Sequence, residues 1–365
     1  MSGLTHTANP GVGRTIVSVD AMGGDRGPAA VVAGISHSAR KNPDIGFILH
    51  GDKAKLEKLV ARRKYLAGRV EIRHADDVVS MGDKPSQVMR HGKNTSMWSA
   101  VDSVRNGEAD ACVSCGNTGA LMMLSVLRLR KLPGVSRPAI AVFWPSTNPQ
   151  GFNIMLDAGA DIRADENDLL QYALMGASYA RNGMEISRPR IGLLNVGTEE
   201  HKGRSELKLA NALIAQNAEA ANYEYVGFVE GRDLPGNVAD VIVTDGFTGN
   251  VALKTGEGIA GLIGQLLREA FKFSPLSRLA ALLAYTSLNR LNKRIDPRRV
   301  NGGVFLGLNG TVVKSHGSSD ATGVSSAVKL AFKLGHSGFS QKLAARVASA
   351  VSLPQDAPQG SATDN

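Results

Sequence analysis

The sequence predicts an α/β fold built on a mostly parallel sheet. Three observations carry that expectation. Short apolar, β-branched runs alternate with longer helix-compatible segments, the pattern of strands joined by crossover helices. Most of the strand-like runs lead straight into loops of glycine and small polar residues, as strand-to-helix turns do. Finally, 365 residues of which 43% are hydrophobic and 21% charged describe an ordinary globular chain, long enough for a full core.

Strands are expected at 15–20, 45–49, 70–74, 111–114, 139–143, 152–156, 191–195, 225–229, 241–244 and 304–308. Helices are expected at about 28–40, 53–65, 95–106, 117–131, 166–182, 205–220, 250–271 and 320–335. No internal repeat or linker divides the chain, so residues 14–352 read as a single α/β domain. The Thr/Asn/Gly/Pro-rich stretch 1–13 and the tail 353–365 read as flexible ends.

Composition narrows the function classes. Cys112 and Cys115 are the only cysteines, so no disulfide framework is expected and a reducing cytoplasm suits the chain. Their C-V-S-C spacing lacks the second cysteine pair of a structural zinc site. A net charge of +9 points to an acidic partner: nucleic acid, an anionic membrane surface or an acidic carrier protein. Aromatics are 5% and do not interleave with Lys/Arg, which argues against nucleic acid. Residues 1–13 lack the apolar core of a signal peptide, and no stretch is apolar enough to span a bilayer.

The stretch that organises the rest is 241–254, Val-Ile-Val-Thr-Asp-Gly-Phe-Thr-Gly-Asn-Val-Ala-Leu-Lys. It reads as strand, tight turn and helix start, gathering Asp245, Gly246, Thr248, Gly249, Asn250 and Lys254 at one junction. A helix N-terminus with unpaired amides and glycines that admit close approach suits an anion. The same chemistry recurs elsewhere. Asp20-Ala21-Met22-Gly23-Gly24-Asp25 follows the first strand, and Cys115-Gly116-Asn117-Thr118-Gly119 follows 111–114. Asp157-Ala158-Gly159-Ala160-Asp161 follows 152–156, and Gly197-Thr198-Glu199-Glu200-His201-Lys202-Gly203 follows 191–195. Asn309-Gly310 and Lys314-Ser315-His316-Gly317-Ser318 follow 304–308. Ligands of such sheets bind beyond the carboxyl ends of strands, so the recurrence predicts a common cleft.

Individual residues leave alternatives open. Lys202 is either a solvated lysine or an anion ligand; Asn117 and Asn250 either cap helices or contact substrate. His316 is a base, a donor or a plain loop histidine. Asp20, Asp25, Asp157, Asp161 and Asp245 are candidates for a divalent-metal site, since Mg²⁺ favours carboxylate oxygens, and they equally suit pairing with lysines or turn capping. No dinucleotide fingerprint, Walker A loop or nucleophile elbow occurs. Residues 274–299 form a basic amphipathic segment, with leucines at 276, 279, 282, 283, 288 and 291. Arg278, Arg290, Lys293, Arg294, Arg298 and Arg299 supply its charge, which suits either anionic lipid or a dimer face.

Five of these segments taken together and in order closely resemble the bacterial phosphate acyltransferase family. They are 18–25, 116–121, 194–203, 244–250 and 314–317, within a match from about Ile16 to Leu334. Cys115 stands where the family usually carries a smaller residue. The resemblance implies a three-layer α/β/α, isopropylmalate dehydrogenase-like fold, a homodimer, and cytoplasmic location with peripheral attachment to the inner face of the membrane. It implies an enzyme that makes acyl phosphate from acyl-[acyl carrier protein] and inorganic phosphate for phospholipid synthesis, with a glycerol-3-phosphate acyltransferase downstream. No metal or cofactor is implied. Phosphate is its own nucleophile and a thiolate is a good leaving group, so the protein's task is to hold an anion and stabilise an oxyanion. On that reading Lys202 takes the phosphate with backbone amides of 246–250, Asn250 serves phosphate or oxyanion, and His316 helps position the nucleophile. Asp20, Gly23, Gly24, Asn117, Thr118, Gly197, Thr198, Asp245, Gly246, Thr248, Gly249 and Lys254 complete the expected binding loops. The rival readings are a metal- and NAD-dependent dehydrogenase, a phosphotransacetylase-like enzyme acting on acyl-CoA, and a non-enzymatic membrane scaffold for the carrier protein.

Overall fold

The computed structural model describes residues 14–295 and 302–351. The flexible ends expected at 1–13 and 353–365 and the last residues of the basic segment lie outside the described residues. Eleven strands form one continuous sheet. They are β1 (Thr15–Asp20), β2 (Ile45–Gly51), β3 (Val70–His74), β4 (Ala111–Ser114), β5 (Ala139–Pro145), β6 (Phe152–Leu156), β7 (Arg190–Leu194), β8 (Glu224–Val229), β9 (Val241–Val243), β10 (Gly303–Leu306) and β11 (Thr311–Lys314). Their order is β3-β2-β1-β4-β11-β10-β5-β6-β9-β7-β8.

Both faces of the sheet are covered, and side chains of one strand alternate between two apolar cores. Ala111 and Val113 of β4 join the core that holds Val17, Val19, Tyr172, Tyr179 and Leu334. Cys112, between them, joins the core of Met97, Val101, Leu121, Leu124 and Val312. On the first face lie α1 (Gly27–Lys41), α2 (Lys53–Ala61), α6 (Glu166–Met184), α7 (Ser205–Gln216), α11 (Ala321–His336) and α12 (Phe339–Val351). The second face carries α4 (Ser96–Arg105) and α5 (Thr118–Leu129), with α3 (Pro85–His91) packed on α5. The outcome is the expected three-layer α/β/α arrangement on a mostly parallel sheet.

Strand direction is what positions the site. β3, β2, β1, β4 and β11 run one way, and β6, β9, β7 and β8 run together the other way. Antiparallel pairs β11–β10, β10–β5 and β5–β6 make the seam between these halves. The carboxyl ends of β1, β4 and β11 therefore face one edge of the sheet, and those of β6, β9 and β7 face the other.

Most elements lie where the periodicity predicts, and the departures have local causes. β11 is a separate four-residue strand, because Gly307 and Gly310, both at positive φ, turn the chain back after β10. The helix α8 (Gly246–Lys272) starts four residues earlier than expected. The Asp245 carboxylate caps it, accepting from Thr248 N at 2.8 Å, so the glycine-containing turn is already helix. The segment after Phe273 is helical but broken at Ala284 into α9 (Pro275–Leu283) and α10 (Tyr285–Ile295). No helix of the described residues is long and apolar enough to cross a membrane.

Candidate active site

At the first edge the loops after β1, β4 and β11 are pressed together through glycine. A Cβ at Gly23 would stand 2.8 Å from Gly116 N, and one at Gly24 would stand 2.9 Å from Gly317 O. Gly24 also holds φ +93°, a region that side chains disfavour. Asp20 is buried and ties these loops from below. Its carboxylate accepts from Ser96 Oγ and Ser114 Oγ, both at 2.7 Å, and from Gly23 N at 3.2 Å. Burial still pushes its carboxyl up from the ordinary value against those bonds. Asn117 caps α5 through Ala120 N at 3.0 Å, and its amide donates to Met81 O and Asp83 O at 2.9 and 3.1 Å. Thr118 follows it, exposed, in the first turn of α5.

At the second edge Asp157 does the equivalent work. Its buried carboxylate accepts from the amides of Ile140, Gly159, Ala160 and Asp161 at 2.7–3.1 Å. The first turn of α8 rests on this loop: Gly246 N donates to Asp161 O at 2.7 Å, and a Cβ at Gly246 would stand 2.5 Å from Asp157 Oδ2. Gly249 also meets the backbone of Asp157. Asp245 binds Thr248 twice and takes Arg204 Nη2 at 2.5 Å, which ties the loop after β7 to α8. In that loop Lys202 lies across Gly197 and pairs with Glu199 at 2.8 Å, both side chains about half exposed; Thr198 is exposed beside them.

Two expectations change here. The strand-end loops do not share one row, because the sheet reverses between them; they form two groups at opposite edges. The α8 N-terminus is also no open anion cradle. Gly246 N is taken by Asp161 O, Thr248 N by Asp245, and the Asp245 carboxylate already occupies the positive end of the helix.

The helix α8 connects the groups. Asn250, Lys254 and Glu257 are spaced i, i+4, i+7 and so line one face. Asn250 is exposed and packs on Gly159, which a Cβ would bring to 3.5 Å from it. Lys254 Nζ pairs with Glu257 Oε2 at 2.8 Å, and the same carboxylate oxygen lies 4.0 Å from His316 Nε2 in the β11 loop. His316 Nδ1 faces Ser318 Oγ at 2.9 Å. Burial first, then the charge of Lys254, draws the His316 imidazole below its ordinary value. A polar stripe thus runs from Asn250 at one group to His316 at the other.

Arg204 and Glu257 carry no sequence signal for the site, and Lys314 enters it only as the first residue of the 314–317 motif, with no role of its own. Lys314, buried at the end of β11, donates to the carbonyls of Cys115 (3.5 Å) and Ser315, and burial draws it down to about 8. A lone lysine closing the run Thr-Val-Val-Lys is the signal that would have found it. Asp157 and Asp161 were weighed as metal ligands, yet their carboxylates face amides and Arg137. Among the described residues no three His, Cys, Asp or Glu side chains gather closely enough to hold a metal ion. Both cysteines are buried free thiols.

Comparison with known proteins fits this geometry to a family. The family described as "Fatty acid synthesis protein" matches residues 15–342. A phosphate acyltransferase from Ruegeria sp. (strain TM1040) is 75% identical over 356 residues, 98% of this chain and 95% of that one. A phosphate acyltransferase from Ruegeria pomeroyi is 74% identical over 350 residues, 95% of this chain and 94% of that one. Among solved structures, a phosphotransacetylase from Streptococcus pyogenes superposes with a TM-score of 0.58 at 14% identity, covering 88% of this chain and 94% of that one. The EutD phosphotransacetylase from Staphylococcus aureus gives 0.56 at 15%, covering 90% and 94%. These two likenesses are of fold. The sequence relatives carry the assignment: the chain belongs to the phosphate acyltransferase family.

Proposed function

We propose that the protein forms acyl phosphate from acyl-[acyl carrier protein] and inorganic phosphate, by direct attack of phosphate on the thioester. The observation that carries this reading is the Asn250–Lys254–Glu257 stripe, which joins two loop groups across one helix face. A phosphate oxygen attacks the thioester carbon, the tetrahedral oxyanion collapses, and the pantetheine sulfur leaves as thiolate. The reaction needs a held anion, an oxyanion donor and alignment. Lys202 and Lys254 are the cations for phosphate; each is held by a glutamate three residues away, which a dianion would displace. Asn250 donates its amide to phosphate or oxyanion. His316 faces Glu257, which lies two helical turns from Asn250, so we assign His316 to the thioester arm of the donor. Asp20, Asn117, Asp245 and Thr248 act through the loops they order, and Gly23, Gly24, Gly197, Gly246 and Gly249 let those loops approach.

The arm beyond the sheet suits the other partners. Ile259, Leu262 and Leu266 of α8, Phe273, and Leu276, Leu282 and Leu283 of α9 are all exposed in the single chain. Apolar surface on that scale marks an interaction face. We assign it to a second copy and to an anionic bilayer on the inner side of the cell membrane, with Arg278 and Arg290 for the headgroups. The net charge of +9 favours an acidic carrier protein. Product would pass to a glycerol-3-phosphate acyltransferase.

The test is acyl phosphate formation from hexadecanoyl-[acyl carrier protein] and phosphate, trapped with hydroxylamine. Phosphate-dependent product, lost in Asn250→Ala, is expected. Product from acyl-CoA alone would point to a phosphotransacetylase-like donor, and carrier binding without product to a scaffold.

A further inference from the structure

Outside the loop groups, α3 and α5 border an open groove of about 480 Å³ lined by Met89, Met122, Met123, Val126, Leu127 and Arg130. Five of the six are apolar, and Met123 and Leu127 are each about 40% exposed among the described residues. We propose that this groove holds the acyl chain of the substrate, an inference that rests on the reaction proposed above.

Position supports that occupant. Asn117, at the head of α5, holds the 81–83 loop by two hydrogen bonds, and a Cβ at Gly119 would stand 3.0 Å from Pro85 at the head of α3. The two helices are thus locked together at the first edge, and the groove opens from the next turn of α5, away from the polar loops. Met81, whose carbonyl Asn117 holds, is 45% exposed and brings its methyl carbon to 2.9 Å from where a Cβ of Gly317 would lie, so the head of α5 adjoins the His316 loop. An acyl donor whose thioester lies near His316 would have this apolar channel beside it.

Chemistry supports it as well. Residues 122–130 span about 12 Å along the helix axis, so the apolar side chains follow one line along α5. Three of the lining residues are methionine, whose unbranched, polarisable side chain adapts to an occupant of variable length. The single polar residue, Arg130, closes the far end of α5, where a charge does not interrupt the apolar track. Each methylene transferred into such a channel strengthens binding roughly fourfold, so the groove would set chain-length preference.

The test fills the groove from its exposed side, with Met123→Trp and Leu127→Trp, in the full-length protein. Acyl phosphate formation is followed with hexadecanoyl- and butanoyl-[acyl carrier protein]. The expected result is a fall of at least tenfold in kcat/KM for the hexadecanoyl donor, with the butanoyl donor within twofold and the melting temperature unchanged. Equal effects on both donors, or none on either, would overturn the groove while leaving the reaction standing. A fluorescent eighteen-carbon fatty acid gives an independent reading. Binding weakened tenfold by Leu127→Trp supports the groove even if no donor yields acyl phosphate, in which event the reaction assignment alone fails. Undiminished binding overturns the groove.

Discussion

Acidification should unfold this protein partly through one histidine. His50 of β2 is fully buried, with Nε2 3.0 Å from Ser18 Oγ and Nδ1 2.8 Å from Ser99 Oγ. Burial, helped by the nearby charge of Arg73, draws its pKa from 6.5 down to about 3. A depressed histidine pKa means that the unfolded chain takes up the proton first. Stability is therefore untouched above pH 6.5, falls as pH drops below it, and stops falling below about 3. Each pH unit inside that window costs about 1.36 kcal/mol, so a drop from 6.5 to 4.5 removes about 2.7 kcal/mol. Asp20 and Asp157, whose carboxyls burial pushes up, act in the opposite sense. Those residues are common to wild type and His50→Gln, so comparing the two isolates the histidine. Urea unfolding at both pH values should show wild type losing about 2.7 kcal/mol more than the variant. Equal losses, within about 0.5 kcal/mol, would refute the assignment of a neutral buried His50.

Other substitutions separate structural from chemical roles. Lys202→Ala should lower turnover about 100-fold, the scale of one lost oxyanion-type contact, and shift melting by less than about 1 °C because its ion pair is exposed. Near-wild-type turnover would remove Lys202 from the site. Gly24→Ala places a methyl 2.8 Å from Cys115 Cβ at φ +93° and should cost about 1–3 kcal/mol in urea unfolding. Asn117→Ala loses a helix cap and two loop bonds, and should cost about 1–2 kcal/mol while loosening the 81–83 loop to proteolysis. Leu279→Asp with Leu283→Asp should abolish sedimentation with anionic vesicles; unchanged sedimentation would detach the α9 face from lipid.

Much of this architecture was legible because its signals are local. Val241–Val243 followed by Thr-Asp-Gly announces strand, cap and helix within six residues, and Ser274-Pro275 announces α9 in the same way. The glycines at 23, 24, 116, 246 and 249 were legible as close approaches, although not what they approach. Long-range facts escaped. The antiparallel seam through β5 and β10 joins residues more than 150 positions apart, and without it the two edges cannot be told from one. Arg204 meets Asp245 across 41 residues, and Lys314 looks like a surface lysine until β4 and the β1 loop close over it. The seven-residue α3, although opened by Pro85, is too short to show a periodic apolar face.

The helix α8 has a metric consequence. Asn250 and Glu257 ride on one continuous helix, so their separation along its axis is fixed at about 10 Å whatever the loops around them do. The helix is a gauge block between the two edges. A phosphate ion is small enough to rest against one end of that gauge, and only an extended molecule touches both. On the reaction proposed above, donor and phosphate would meet along a span that backbone geometry fixes.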